Sequence, residues 1–251
     1  MTRPVRRPAA NSGNAAAICA AAADLALRGR AIEAIAGYRQ AIAIMPDFAK
    51  AHSNLGNLLF EQGRLEEAVT HLRRAIACAP RSAEPHNSLG NIMRRRGMMA
   101  GAAQFYAQAV ALDPAYPEGR NNLGITLVAL RRAVEAITHF REALRIRPCF
   151  IDARLNLASA LIDTEALTDA RNELELAWHE RNAAAFPLPR LGMLFARCGM
   201  REQASACFAA HAALCPGERA TMTSLLTWIA DTATLVPVDG AAEQAATSSL
   251  S

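Results

Sequence analysis

Apolar residues recur along this chain at helical spacing, and the recurrence itself repeats. Stretches such as those holding Leu55 and Leu59, or Leu123 and Leu127, place apolar side chains at i, i+3, i+4 and i+7, as in a helix with one buried face. A glycine often follows, at Gly29, Gly63, Gly97 and Gly199, and breaks the pattern as a helix end prefers. A second amphipathic stretch then runs to a proline, at Pro46, Pro80, Pro114, Pro148 and Pro216, which cannot continue the helical hydrogen-bond ladder. No β-branched run bounded by turn signals is long enough to predict a sheet. The pattern predicts an all-α chain built from helix pairs.

The prolines stand 34 residues apart, or 68 where one beat is missing at Asn182. In that register residues 15–218 divide without insertion or deletion into six units, 15–48, 49–82, 83–116, 117–150, 151–184 and 185–218. Twelve residues before the beat every unit has alanine: Ala34, Ala68, Ala102, Ala136, Ala170 and Ala204. Eight before it comes a large apolar side chain: Tyr38, Leu72, Tyr106, Phe140, Leu174 and Phe208. Twenty-four before it the residue is small: Ala22, Gly56, Gly90, Gly124, Ala158 and Gly192. Glycine inside a helix costs about 1 kcal/mol. Its return at one register position predicts close helix contacts that offset the penalty.

This pattern resembles the tetratricopeptide repeat, a helix-turn-helix unit of about 34 residues with the same small-residue and proline signature. The resemblance covers residues 15–218. It implies a right-handed superhelical solenoid whose first helices line a concave face and whose ends need caps. One departure is systematic: where the family often carries an early tryptophan, this chain has His52, His86, Arg120 and Arg154. Residues 219–235 are expected to form the capping helix, with Met222, Leu225, Leu226 and Ile229 on one side. Residues 1–14 are expected to be a basic, flexible N-terminus, and 236–251, small and polar, a disordered tail.

Turning about 100° per residue, the first helices point a polar set away from their packed stripe: Asn54, Asn57, Ser88, Asn91, Asn122, Asn156 and Ser159, with Asn87 and Asn121 beside it. Seven of the eleven asparagines lie there, although a merely solvated helix face would favour Glu, Lys, Gln and Arg. Asparagine offers an acceptor and two donors on a short arm, suited to bracketing a peptide's amide. The ladder resembles that of the O-linked N-acetylglucosamine transferase repeats, and this implies that it holds extended peptides by their backbone. Arg94 and Arg95 fall on the same face and are placed to meet an acidic side chain. The expected peptide-binding residues are therefore Asn54, Asn57, Asn87, Ser88, Asn91, Arg94, Arg95, Asn122 and Asn156. The carboxylate clamp of chaperone-binding members is not expected. Its cations are missing, and Glu84, Glu118 and Asp152 at one register position would repel a terminal carboxylate.

Composition narrows the partners. The net charge of +4 is mild, with no continuous basic stripe or stacking aromatics, so nucleic acid is not expected. No run approaches the ~18 apolar residues of a membrane span. The alanine-rich stretch after Arg7 loosely imitates a secretory signal, yet it is weakly hydrophobic and contains Asp24. Six cysteines without CxxC spacing predict reduced thiols and a cytoplasmic protein. No metal or cofactor is expected. Nucleophile-elbow, phosphate-loop and zinc-protease motifs are missing, so the chain is not expected to be an enzyme. The expected function is a protein–protein interaction scaffold that binds an extended peptide or partner in the groove. The alternative is a non-catalytic subunit that presents substrates to a separately encoded transferase.

Overall fold

The computed structural model describes residues 9–180 and 186–232. Among them every regular element is helical, and the chain divides between Pro148 and Cys149 into two compact units. The first unit holds four helix pairs: α1 (Ala9–Leu27) with α2 (Ala31–Ile44), α3 (Ala49–Glu61) with α4 (Leu65–Cys78), α5 (Ala83–Arg95) with α6 (Met99–Leu112), and α7 (Pro117–Ala129) with α8 (Ala133–Ile146). Each helix packs on the next, and the first helices α1, α3 and α5 also touch in succession. The second unit holds α9 (Ile151–Asp163), α10 (Leu167–His179), α11 (Leu188–Arg197), α12 (Arg201–Leu214), a 3-10 turn at Pro216–Glu218 and α13 (Arg219–Thr232).

One expected boundary shifts. Residues 9–14, expected to be flexible, begin α1, as strong alanine propensity favours. That helix goes on to bury Ala15, Cys19 and Ala22. At the other end α13 packs on α12 and buries Met222 and Ile229. Residues 1–8, Asn182, 233–235 and the expected tail at 236–251 lie outside the described residues.

The small-residue position is a contact with the second helix of the same pair. A Cβ on Gly56 would stand 2.7 Å from Cγ of Leu72, one on Gly90 2.6 Å from Cε1 of Tyr106, and one on Gly124 2.5 Å from Cε1 of Phe140. The rings fill the space a side chain would take, and both Tyr106 and Phe140 are buried. Full burial of such a side chain contributes about 1.5–3 kcal/mol, more than the glycine costs in propensity.

The turn inside each pair closes the same way throughout. The amide of the residue after the turn bonds the carbonyl five positions back, as in Arg64 N to Leu59 O at 2.9 Å and Arg132 N to Leu127 O at 2.9 Å. This Schellman closure needs a left-handed residue just before the donor. Gly29, Gly63, Gly97 and Gly199 supply it at φ 74–76°, whereas Arg131 and Glu165 adopt φ 62° and 61° with side chains attached.

The residues standing where tryptophan is usual have polar tasks. His52 Nε2 donates to Pro46 O at 3.0 Å and Arg120 Nε to Pro114 O at 2.9 Å, so each ties its helix to the preceding proline turn. His86 Nδ1 donates to Ser82 O at 3.0 Å. Arg154 is buried and pairs instead with two carboxylates of its own unit, Glu173 at 2.8 Å and Glu180 at 3.2 Å.

Candidate functional site

The polar face of α3, α5 and α7 lies wholly within the first unit. Three of its asparagines, Asn87, Asn91 and Asn122, are held by neighbouring side chains. Tyr106 is fully buried, so its hydroxyl requires a partner. It donates to Asn91 Oδ1 at 2.7 Å. Tyr38 lines a groove together with Asn54 of the following pair. Burial pushes both phenols up from their ordinary pKa, which keeps them protonated donors at neutral pH. The notch at Gly90 and the asparagine next to it thus act together: glycine admits the ring and asparagine receives its hydroxyl.

Asn122 on α7 and Asn87 on α5 bond one another across successive pairs, Asn122 Nδ2 donating to Asn87 Oδ1 at 2.9 Å. Asn87 and Ser88 are buried rather than open as the helical wheel suggested. With α3 and α7 on either side, the face is narrower than a single helix implies. Asn54 and Asn57 are half-buried and line a shallow groove of about 310 Å³, together with Leu27, Leu58 and Glu61. Arg95 is exposed but anchored. Its Nη1 donates to Phe60 O at 3.0 Å, and its guanidinium carbon sits 5.3 Å from the Phe60 ring centroid, a cation–π contact.

Asn156 belongs to the second unit. It accepts a hydrogen bond from Arg190, while Arg197 donates to Asp163 at 2.6 Å and to Ser159 Oγ at 3.3 Å. Sequence reasoning missed Tyr38, Tyr106, Phe60 and Arg190 as parts of this polar system. A signal existed for the tyrosines, since Tyr38 and Tyr106 are the two hydroxyl-bearing members of an otherwise apolar register position.

A second polar cluster joins α3 and α4. Nδ1 of His52 and Nδ1 of His71 lie 3.0 Å apart. Because His52 Nε2 donates to a carbonyl, the neutral His52 ring accepts at Nδ1 and His71 donates. Burial lowers the pKa of both, and each feels an arginine, Arg74 for His52 and Arg39 for His71. Among the described residues no group of three or more His, Cys, Asp or Glu side chains could hold a metal ion. None of the described helices is long and apolar enough to cross a membrane.

Helix pairs closed by one turn, a small residue opposite a large one and polar first-helix faces define a repeat protein of the tetratricopeptide class. Family profiles described as TPR or tetratricopeptide repeats match residues 24–63, 56–97, 89–149 and 127–186, and the chain belongs to that family. Among solved structures the fold is similar to PilF of Pseudomonas aeruginosa (23% identity, TM-score 0.71, covering 83% of this chain and 95% of that one). It is similar also to PilW, described as a widely conserved type IV pilus biogenesis factor (21% identity, TM-score 0.69, covering 80% and 94%). A third similar structure is YrrB, described as a TPR protein with an unusual peptide-binding site (20% identity, TM-score 0.55, covering 71% and 92%). Sequence comparison with curated proteins finds no significant match.

Proposed function

We propose that the chain is a protein-binding scaffold whose first unit holds an extended peptide along α3, α5 and α7 by the peptide's backbone. Its fold class is one typical of protein–protein interaction, and the similar protein YrrB is described as having a peptide-binding site. The observation that carries the reading is the fixed polarity of two asparagine amides. Tyr106 occupies the oxygen of Asn91, which leaves its NH2 group as a donor. Asn87 occupies the NH2 group of Asn122, which leaves its oxygen as an acceptor. A peptide group needs one of each. Because the amides are oriented beforehand, binding costs less side-chain entropy than it would with free rotors. The asparagine ladder of O-linked N-acetylglucosamine transferase repeats is the nearest analogy for this use of the face.

Substitutions can separate binding from structure. Asn91→Asp keeps an oxygen for the Tyr106 hydroxyl and removes the outward donor, and Asn57→Ala removes an amide with no hydrogen-bond partner among the described residues. Twelve-residue peptides enriched by panning a random displayed library on the full chain would be measured against each variant by fluorescence anisotropy. Affinity is expected to fall about threefold to tenfold per variant, the range set by loss of one hydrogen bond, with circular dichroism unchanged. Peptides that bind all three proteins alike, or a panning that enriches nothing, would place recognition elsewhere.

A further inference from the structure

We infer that Arg94 and Arg95 form an anchoring site for an acidic side chain, aspartate or glutamate, within the bound peptide. This rests on the peptide-binding reading of α3, α5 and α7 and specifies which sequence that face selects.

The inference starts from which arginines have counter-ions. Several arginines of the first unit have carboxylates, Arg64 with Glu67, Arg74 with Asp47, Arg96 with Glu66, Arg132 with Glu135 and Arg147 with Glu118, while Arg28, Arg73, Arg81 and Arg131, away from the polar face, have none among the described residues. Arg94 and Arg95 are exposed and have no carboxylate within ion-pair distance among the described residues. Both sit on the last turn of α5, on the same face as Asn91. Arg96, immediately next in sequence, does have its carboxylate, so within this run the two guanidinium groups left unpaired are the ones on the face of Asn91.

The Arg95 side chain is also held in place, which solubility alone does not require. The Phe60 ring and carbonyl hold Arg95 by one nitrogen, and this leaves Nε and Nη2 as donors. A planar guanidinium fixed before binding loses less freedom for each hydrogen bond it then makes, and its two parallel N–H groups match a carboxylate. One pair up the face the charge reverses. Glu61 on α3, at the register position of Arg95, lines the groove beside Asn57 and makes no ion pair among the described residues. The face therefore favours an acidic side chain over α5 and disfavours a second one over α3. The match is to a single carboxylate on an extended chain. A nucleic-acid backbone would need cations along the whole face, and Glu61 interrupts it.

The test uses two acetylated, amidated nonapeptides of alternating alanine and serine that differ only in a central glutamate or glutamine. Each is titrated into the full, nitrogen-15-labelled chain while the arginine Nε–H and asparagine side-chain signals are followed by NMR. The glutamate peptide is expected to bind about fivefold to tenfold more tightly than the glutamine peptide and to move the Nε–H signals of Arg94 and Arg95. In Arg94→Gln and Arg95→Gln the advantage should shrink, and in Phe60→Leu it should weaken with the fold intact. If both peptides move the signals of Asn57, Asn91 and Asn122 with equal affinity, the acidic anchor is wrong and peptide binding stands. Arginine signals that move while these asparagines stay still would support the anchor and overturn the backbone-bracketing reading. If neither peptide moves any of these signals, both fail. A ten-residue oligothymidylate that shifts the arginines at lower concentration than the glutamate peptide would overturn the inference in favour of nucleic acid.

Discussion

At the scale of the single residue, two positions show how the repeat trades backbone against side chain. Gly124 faces Phe140 so closely that a Cβ would lie 2.5 Å and 2.8 Å from two ring carbons. The neighbour is a rigid, buried ring, so Gly124→Ala should destabilise by about 1–3 kcal/mol, the usual cost of overpacking. In a Phe140→Leu background the same change should cost less, because the two share one space; urea midpoints of the four proteins would show it. Arg131 and Glu165 present the opposite case. Each holds a left-handed conformation, φ 62° and 61°, at a turn where the equivalent residues are glycine. A side chain there is strained by about 1–2 kcal/mol, partly offset by glycine's greater loss of freedom on folding. Arg131→Gly and Glu165→Gly should each raise stability by about 0.5–1 kcal/mol. A lowered melting temperature in either variant would mean that the side chain carries a contact worth more than the strain.

Between elements, the polar substitutes for tryptophan tie helices together by charge and by shared protons. Arg154 on α9 is 7% exposed and meets Glu173 and Glu180, which are 24% and 36% exposed. Removing a buried partner strands the charges left behind, so Arg154→Ala should cost about 3 kcal/mol. Glu180→Ala, at the wetter end, should cost less than about 1 kcal/mol. The bond between α3 and α4 through His52 and His71 predicts a pH effect. Both groups have lowered pKa values in the folded protein, through burial first, so the unfolded chain binds more protons below its ordinary histidine pKa of about 6.5. Their stabilisation is complete above that value and declines as pH falls towards the lowered folded values. The charges of Arg74 and Asp47 act on His52 and those of Arg39 and Glu67 on His71, with Arg73 beside the histidines on α4. His139, half-buried and lowered by desolvation, adds to the same slope. Melting temperature should drop between about pH 7 and about pH 5. His71→Phe should flatten part of that slope, and an unchanged slope would show that the pair does not titrate as its geometry requires.

For the whole molecule, legibility follows from what repeats. Helix pairs, notches and proline stops recur every 34 residues, so each position is read several times and local accidents average out. The Asn91–Tyr106 and Asn87–Asn122 bonds do not recur in that way. They depend on which partner stands fifteen or thirty-five residues away, and a helical wheel drawn for one helix cannot see across to the next. Hence the face was found from its asparagines, while the burial of Asn87 and Ser88 and the anchoring of Arg95 were not. The same nearest-neighbour construction governs how the chain should open. Where each element touches mainly its sequence neighbours, stability is close to a sum of local units and interfaces, and openings remain regional. Arg154→Ala should therefore speed hydrogen exchange of backbone amides in α9 and α10 far more than in α3 to α6. Protection lost evenly along the chain would instead mean that the two units unfold as one cooperative body, and that the interface between repeats outweighs the stability of any single pair.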